Sequence, residues 1–210
     1  MISLSEILHT IAQALMIPCL IILIILMAGA VWQIGDIVVE YIAERRKHKC
    51  NVPQLLRDVH AAGAEGLAEL IENSGLLRRQ KKALLELAES RGLPKDTLTA
   101  LAERLLATEE ARNARTTSIT DMIAKLGPMF GLLGTLIPLG PGIVALGQGD
   151  TVTLSESMNV AFDTTIAGVI SAAVASVISH IRKRWYNDDM VSLETLMEAV
   201  LEEVTSDVEG

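Results

Sequence analysis

Residues Ile11–Trp32 read IAQALMIPCLIILIILMAGAVW, and between Glu6 and Asp36 no residue carries a formal charge when His9 is neutral. At about 1.5 Å per residue a helix of this stretch covers roughly 33 Å, enough to cross a hydrocarbon core of about 30 Å. Pro18 is tolerable there, because neighbours in a membrane re-satisfy the carbonyl that a proline frees. A cleaved leader would want basic residues ahead of the apolar run. Here the cluster Arg45, Arg46, Lys47 and Lys49 comes after it. The stretch therefore reads as a retained transmembrane helix over 11–34.

Two further runs follow. LGPMFGLLGTLIPLGPGIVALGQG, residues 126–149, has no charge but seven glycines and three prolines, Pro128, Pro138 and Pro141. A soluble helix would not survive that composition, whereas a membrane helix packed by neighbours does. Pro138 and Pro141 are expected to kink or unwind its second half. The run from Glu156 to Ile181 contains a single internal charge, Asp163. All 18 Lys and Arg residues fall in 45–125 and 182–184. Cytoplasmic flanks carry the excess of Lys and Arg. The expected topology is an extracytoplasmic N-terminus (1–10), span 1 (11–34), a cytoplasmic helical region (35–125), span 2 (126–147), an outer loop (148–156), span 3 (157–181) and a cytoplasmic tail (182–210). The fold class is all-α: a polytopic protein of the cell membrane with three transmembrane helices, a helical insertion between spans 1 and 2, and an amphipathic C-terminal helix.

In the insertion, Pro53 opens a helix with Leu56, Val59, Leu67, Leu70 and Ile71 at helical intervals, and Asn73-Ser74-Gly75 breaks it. Leu76–Arg91 is a second helix ended by Gly92, with Pro94 just beyond. Asp96 or Thr97 is expected to cap a third, which meets no breaker before Leu126 and so runs into span 2. The tail after Tyr186 holds eight Asp and Glu and no Lys or Arg, with Met190, Leu193, Leu196, Met197, Val200 and Leu201 at helical spacing. It reads as a helix packing on the basic insertion, with docking of a partner as the alternative. A net charge of −8 argues against nucleic acid. No phosphate-loop motif occurs, and His9, His48, His60 and His180 are too dispersed for a metal site. Neither an enzyme nor a cofactor is expected.

Span 3 carries two rows of small residues four apart: Thr164, Gly168, Ala172, Ser176, and Ala167, Ser171, Ala175, Ser179. Span 2 offers Gly127, Gly131 and Gly134. Small rows let helix backbones approach where lipid supplies no hydrophobic drive for association. Packing explains less well why Thr135, Thr164, Thr165 and Asp163 lie at membrane depth. An acid there costs about 3 kcal/mol or more unless it faces protein or water, which makes Asp163 a candidate proton carrier.

Pro128-Met-Phe-Gly-Leu-Leu-Gly-Thr135 resembles the P-x-x-G-L-L-G-T opening of the second helix in the MotA/TolQ/ExbB proton channel family. Ala161-Phe-Asp-Thr-Thr165-Ile-Ala-Gly168 resembles the A-x-x-x-T-x-x-G motif of its third helix. The resemblance implies a ring of subunits, typically five, around the single helices of a TolR/ExbD/MotB-like partner that carries a proton-binding aspartate. It makes Thr135 and Thr165 pore-facing, Gly131, Gly134 and Gly168 packing glycines, and Pro128 the helix-opening proline; Ala172 extends the packing row. Many relatives have a glutamate five residues before the third-helix threonine. Here that position is Val160, and Asp163 is the nearest acid. A non-conducting scaffold anchoring a cytoplasmic helical module is the alternative function, and sodium the alternative ion.

Overall fold

The computed structural model describes residues 4–42 and 51–209. The basic cluster at 45–49 lies outside them. Six helices follow in order: α1 (Leu4–Ala14), α2 (Met16–Glu40), α3 (Val52–Asn73), α4 (Arg78–Glu89), α5 (Lys95–Gly147) and α6 (Thr151–Glu209). No strand occurs among the described residues. Among the described residues three stretches are long and apolar enough to cross a membrane: Glu6–Glu40, Lys95–Gly147 and Thr151–Ser206. The chain forms two compact units, one of residues 1–37 with 117–181 and one of 38–116 with 182–210.

The first unit is the apolar bundle of α1, most of α2, the C-terminal part of α5 and the N-terminal part of α6. Pro18 has no N–H to offer the Ala14 carbonyl, and the run breaks there into α1 and α2 at Leu15. α5 is unbroken for 53 residues despite Pro128, Pro138 and Pro141, so the expected unwinding near Pro138 does not occur. One reason is local. Pro141 leaves the Ile137 carbonyl without its helical donor, and the Gln13 amide donates to that oxygen at 3.5 Å. α5 and α6 are joined by only Gln148–Asp150, where Gly149 takes φ 79°, and residues 151–156 are already helical. Asp150 caps α6, accepting from the backbone N–H groups of Val152 and Thr153 and from the Thr153 hydroxyl. The Thr153 hydroxyl bond, ahead of the backbone ones, holds the Asp150 carboxyl below its ordinary value. The outer surface carries Ile21, Ile24, Ile25, Leu132, Leu136, Ile166 and Val169, all exposed. A surface of this kind belongs against lipid or another protein.

The second unit has a core of Leu55, Val59, Leu67 and Ile71 from α3, Leu84 and Leu87 from α4, Leu98 from α5, and Leu193, Leu196, Met197 and Val200 from α6. α3 has Pro53 in its first turn and bends at Gly63, whose φ of 61° only glycine adopts without strain. α5 starts at Lys95, before the expected caps Asp96 and Thr97, because the Pro94 carbonyl already accepts from Thr97 and Leu98 N–H. The tail is no separate element: α6 runs 59 residues without a break. Gln80 fastens α4 to it, donating to the Asp189 carbonyl at 3.0 Å while its own oxygen accepts from Leu77 N–H at 3.2 Å.

Where α2 and α6 enter this unit, Arg182 is buried and donates to Glu40 at 3.2 Å. Tyr41 stacks on Trp185 with ring centroids 6.2 Å apart. The Tyr186 phenol is pushed up to about 12 from 10.0, first by burial and then by the Glu40 carboxylate it bonds, with Arg182 and Arg79 pulling the other way. A raised folded-state value means that Tyr186's contribution to stability is complete below pH 10 and is lost as pH climbs through about 12. In a Tyr41→Phe chain Tyr186 is the sole tyrosine. Its phenolate absorbance should then rise with a midpoint near 12 in the folded protein and near 10 after denaturation. A folded midpoint near 10 would place the phenol in open solvent.

Candidate ion-path face

Thr135 and Thr165 lie on α5 and α6, antiparallel neighbours brought together where side chains are missing. A Cβ added at Gly168 would stand 2.5 Å from the Gly127 carbonyl oxygen and 2.9 Å from Gly131 Cα. One at Gly127 would meet Gly168 O at 2.6 Å and Ala172 Cβ at 3.0 Å, and one at Gly134 would meet Thr164 Cβ at 2.5 Å. Separations under 3.0 Å are ones that real Cβ atoms essentially never show, so glycine at 127 and 168 lets the backbones approach and glycine at 134 makes room for the Thr164 side chain. The seam thus runs Gly127, Gly131, Gly134 against Ala172, Gly168, Thr164. Thr164 is buried in it and donates back to the Val160 and Ala161 carbonyls, each at 2.9 Å. Pro128 sits on an exposed face of α5, away from the seam.

The seam sets the direction of everything beside it. Thr135 follows Gly134 by one residue, and Thr165 follows Thr164 by one. Each step rotates a helix by about 100°. Because the helices run in opposite directions, both rotations carry the threonines to the same side of the seam. Both are partly exposed. Phe130 precedes Gly131 and Val174 precedes Ala175, which turns them to the other side, and that side is where α2 packs. There the Cys19 thiol donates to the Phe130 carbonyl at 3.4 Å, and Phe130 and Val174 border a cluster of Leu26, Ala30, Ile123 and Ala175. The threonines therefore occupy the side that α2 leaves uncovered. Asp163 precedes Thr164 by one, so it lies on the α2 side, exposed in the single chain. The structure brings Thr135 and Thr165 together and separates Asp163 from them.

The hydroxyl protons of Thr135 and Thr165 are committed to their own helices, to Leu132 O at 2.7 Å and Ala161 O at 3.0 Å. Their oxygens remain acceptors toward the open side. A pair of acceptors without a fixed charge suits a water chain, a hydronium or a small cation.

The sequence reading does not single out three polar groups of this unit: Gln33, Thr120 and Asp121. Gln33 and Thr120 are buried, and the Ser179 hydroxyl donates to Asp121 at 2.5 Å. The one signal available was spacing, since Gln33 continues the buried α2 stripe Leu23, Leu26, Ala30.

The model of the MotA/TolQ/ExbB proton channel family matches residues 69–195, which include both halves of the seam. The chain belongs to this family. No curated protein matches it. Membership in the MotA/TolQ/ExbB family makes it a subunit of the proton-channel type in a membrane, and it gives the two-threonine face a functional context.

The seam makes two glycines of the unit behave oppositely. Gly168→Ala forces backbone apart and should cost about 1–3 kcal/mol, seen as a lower melting temperature of the purified protein. Gly140 has nothing within 4 Å of an added Cβ. Gly140→Ala should leave the melting temperature unchanged or raise it, since alanine is the better helix former. Equal tolerance at both positions would contradict the backbone contact.

Proposed function

We propose that the chain is the ring-forming subunit of an ion-driven motor complex. Five copies surround the single-span helices of a TolR/ExbD/MotB-like partner, and ion flow moves that partner to do work at the cell envelope. The observation that carries this reading is the common side of Thr135 and Thr165, turned away from α2. In a ring, that side faces the axis and the partner helix, and α2 lies outside toward lipid. The acceptor oxygens of the threonines then pass a proton, or a sodium ion, to and from the partner's aspartate. The distribution of basic residues supports an N-terminus outside, the 35–125 insertion inside and the C-terminus inside. The protein works without a cofactor, performs no enzymatic step and binds no nucleic acid.

Asp163 has a different place in this proposal. On the α2 side of the seam it meets a neighbouring subunit rather than the axis. An acid at that depth is held only by protein or water.

The test is ion flux into proteoliposomes carrying the chain with its partner subunit. Valine keeps the shape of threonine and removes the hydroxyl. Thr135→Val with Thr165→Val should leave the ring assembled by native mass spectrometry and lose most of the flux. Asp163→Asn should keep most of it. Full flux in the double valine variant would return both threonines to packing and favour the scaffold alternative.

A further inference from the structure

Several hydroxyls of the first unit bond within their own helices. Thr135, Thr164, Thr165 and Ser171 all donate to carbonyls three or four residues back in their own helices. Thr120 does not. It is 0% exposed, and its Oγ1 has no hydrogen-bond partner. Gln33, 5% exposed, holds its Oε1 buried in the same condition. An unpaired buried polar atom costs on the order of 1–3 kcal/mol, so two in one small unit call for an occupant.

Register puts these residues at one level. Ile123 packs with Ala30 and Ala175. One turn further from the Gln148–Asp150 connection stand Gln33 on α2, Thr120 on α5 and Ser179 on α6. In that layer Ser179 donates to Asp121. Gln33 Oε1 and Thr120 Oγ1 do not bond each other. A molecule between them that donates to the amide oxygen and exchanges a hydrogen bond with the hydroxyl would satisfy both. A water does this with its usual two to four partners.

The layer also continues the threonine face. Asp121 lies fourteen residues before Thr135 on α5, and Ser179 lies fourteen residues after Thr165 on α6. Because the helices are antiparallel, both steps lead toward the same end, by about 21 Å. Thr120, seven residues before Gly127, and Ser179, seven residues after Ala172, prolong the seam itself, and Asp121, one residue past Thr120, turns to the side that carries the two threonines.

We infer that Gln33 and Thr120 share a bound water beside the Asp121–Ser179 pair, and that this layer is the inner station of the hydrated route that passes Thr135 and Thr165. The route rests on the proposed function; the water does not.

A melting cycle on the assembled protein in nanodiscs tests the water. Gln33→Leu and Thr120→Val should each lower the melting temperature, by roughly 2–4 °C. The double variant should lose less than the sum, because both act on one molecule. Thr120→Ser, which keeps the hydroxyl, should restore most of the loss. Melting temperatures that rise, or losses that add, would mean orphaned groups with no common occupant. A wild-type melting temperature that climbs with sodium at fixed ionic strength would make the occupant a sodium ion and overturn the water. Flux tests the route: Asp121→Asn should reduce it as the two threonine-to-valine changes do. Flux lost in the threonine variants but kept in Asp121→Asn overturns the station alone. Flux unchanged in all of them overturns the proposed function, and the melting cycle still decides the water.

Discussion

The contact on which the first unit depends is backbone against backbone, at Gly168 between Gly127 and Gly131. In water, two helices are driven together by burying apolar side chains. In hydrocarbon that drive is missing, and close packing of helix surfaces replaces it. Removing the side chains from one stripe of each helix allows the approach, and the chain does this at Gly127, Gly131, Gly134 and Gly168. Glycine is a poor helix former, and three of these four share α5 with three prolines. At one of these prolines the freed backbone group is met from a neighbouring helix: the Ile137 carbonyl, freed by Pro141, accepts from Gln13.

Function follows from the rotation that this contact imposes. Had the seam been one residue out of register on either helix, Thr135 and Thr165 would not share a side. With Thr164 buried against Gly134, the residue after it turns toward the open side and the residue before it turns toward α2. Thr164, Thr165 and Asp163 are consecutive polar residues with three different surroundings. One packs, one offers an acceptor to the open side, and one lies on the α2 side, exposed in the single chain.

Much of this was legible in the sequence. The three spans followed from long runs with at most one internal charge, and the seam residues from rows of small side chains three or four apart. The family followed from two short motifs in spans 2 and 3. Boundaries were less legible. The outer loop was read as 148–156, yet α6 already starts at Thr151, capped by Asp150 through Val152 and Thr153. Unwinding near Pro138 was expected from proline's missing N–H, but a donor from another helix is invisible to a reading of one segment. The layer of Gln33, Thr120, Asp121 and Ser179 was hidden for the same reason. Each residue is unremarkable in its own helix, and only the packing of three helices brings them to one level.

The proposed function requires Thr135 and Thr165 to face water on one side of the seam while the other side stays dry, a difference that thiol accessibility reads. In a chain with Cys19 and Cys50 replaced by alanine, a single cysteine is placed at Thr135, at Thr165 or at Leu133, which precedes Gly134 and turns to the α2 side. The assembled protein in membranes is then treated with a small charged methanethiosulfonate. Modification of Thr135→Cys and Thr165→Cys, with Leu133→Cys left unreacted, is the predicted result. Reaction at Leu133→Cys with both threonine positions protected would contradict the account.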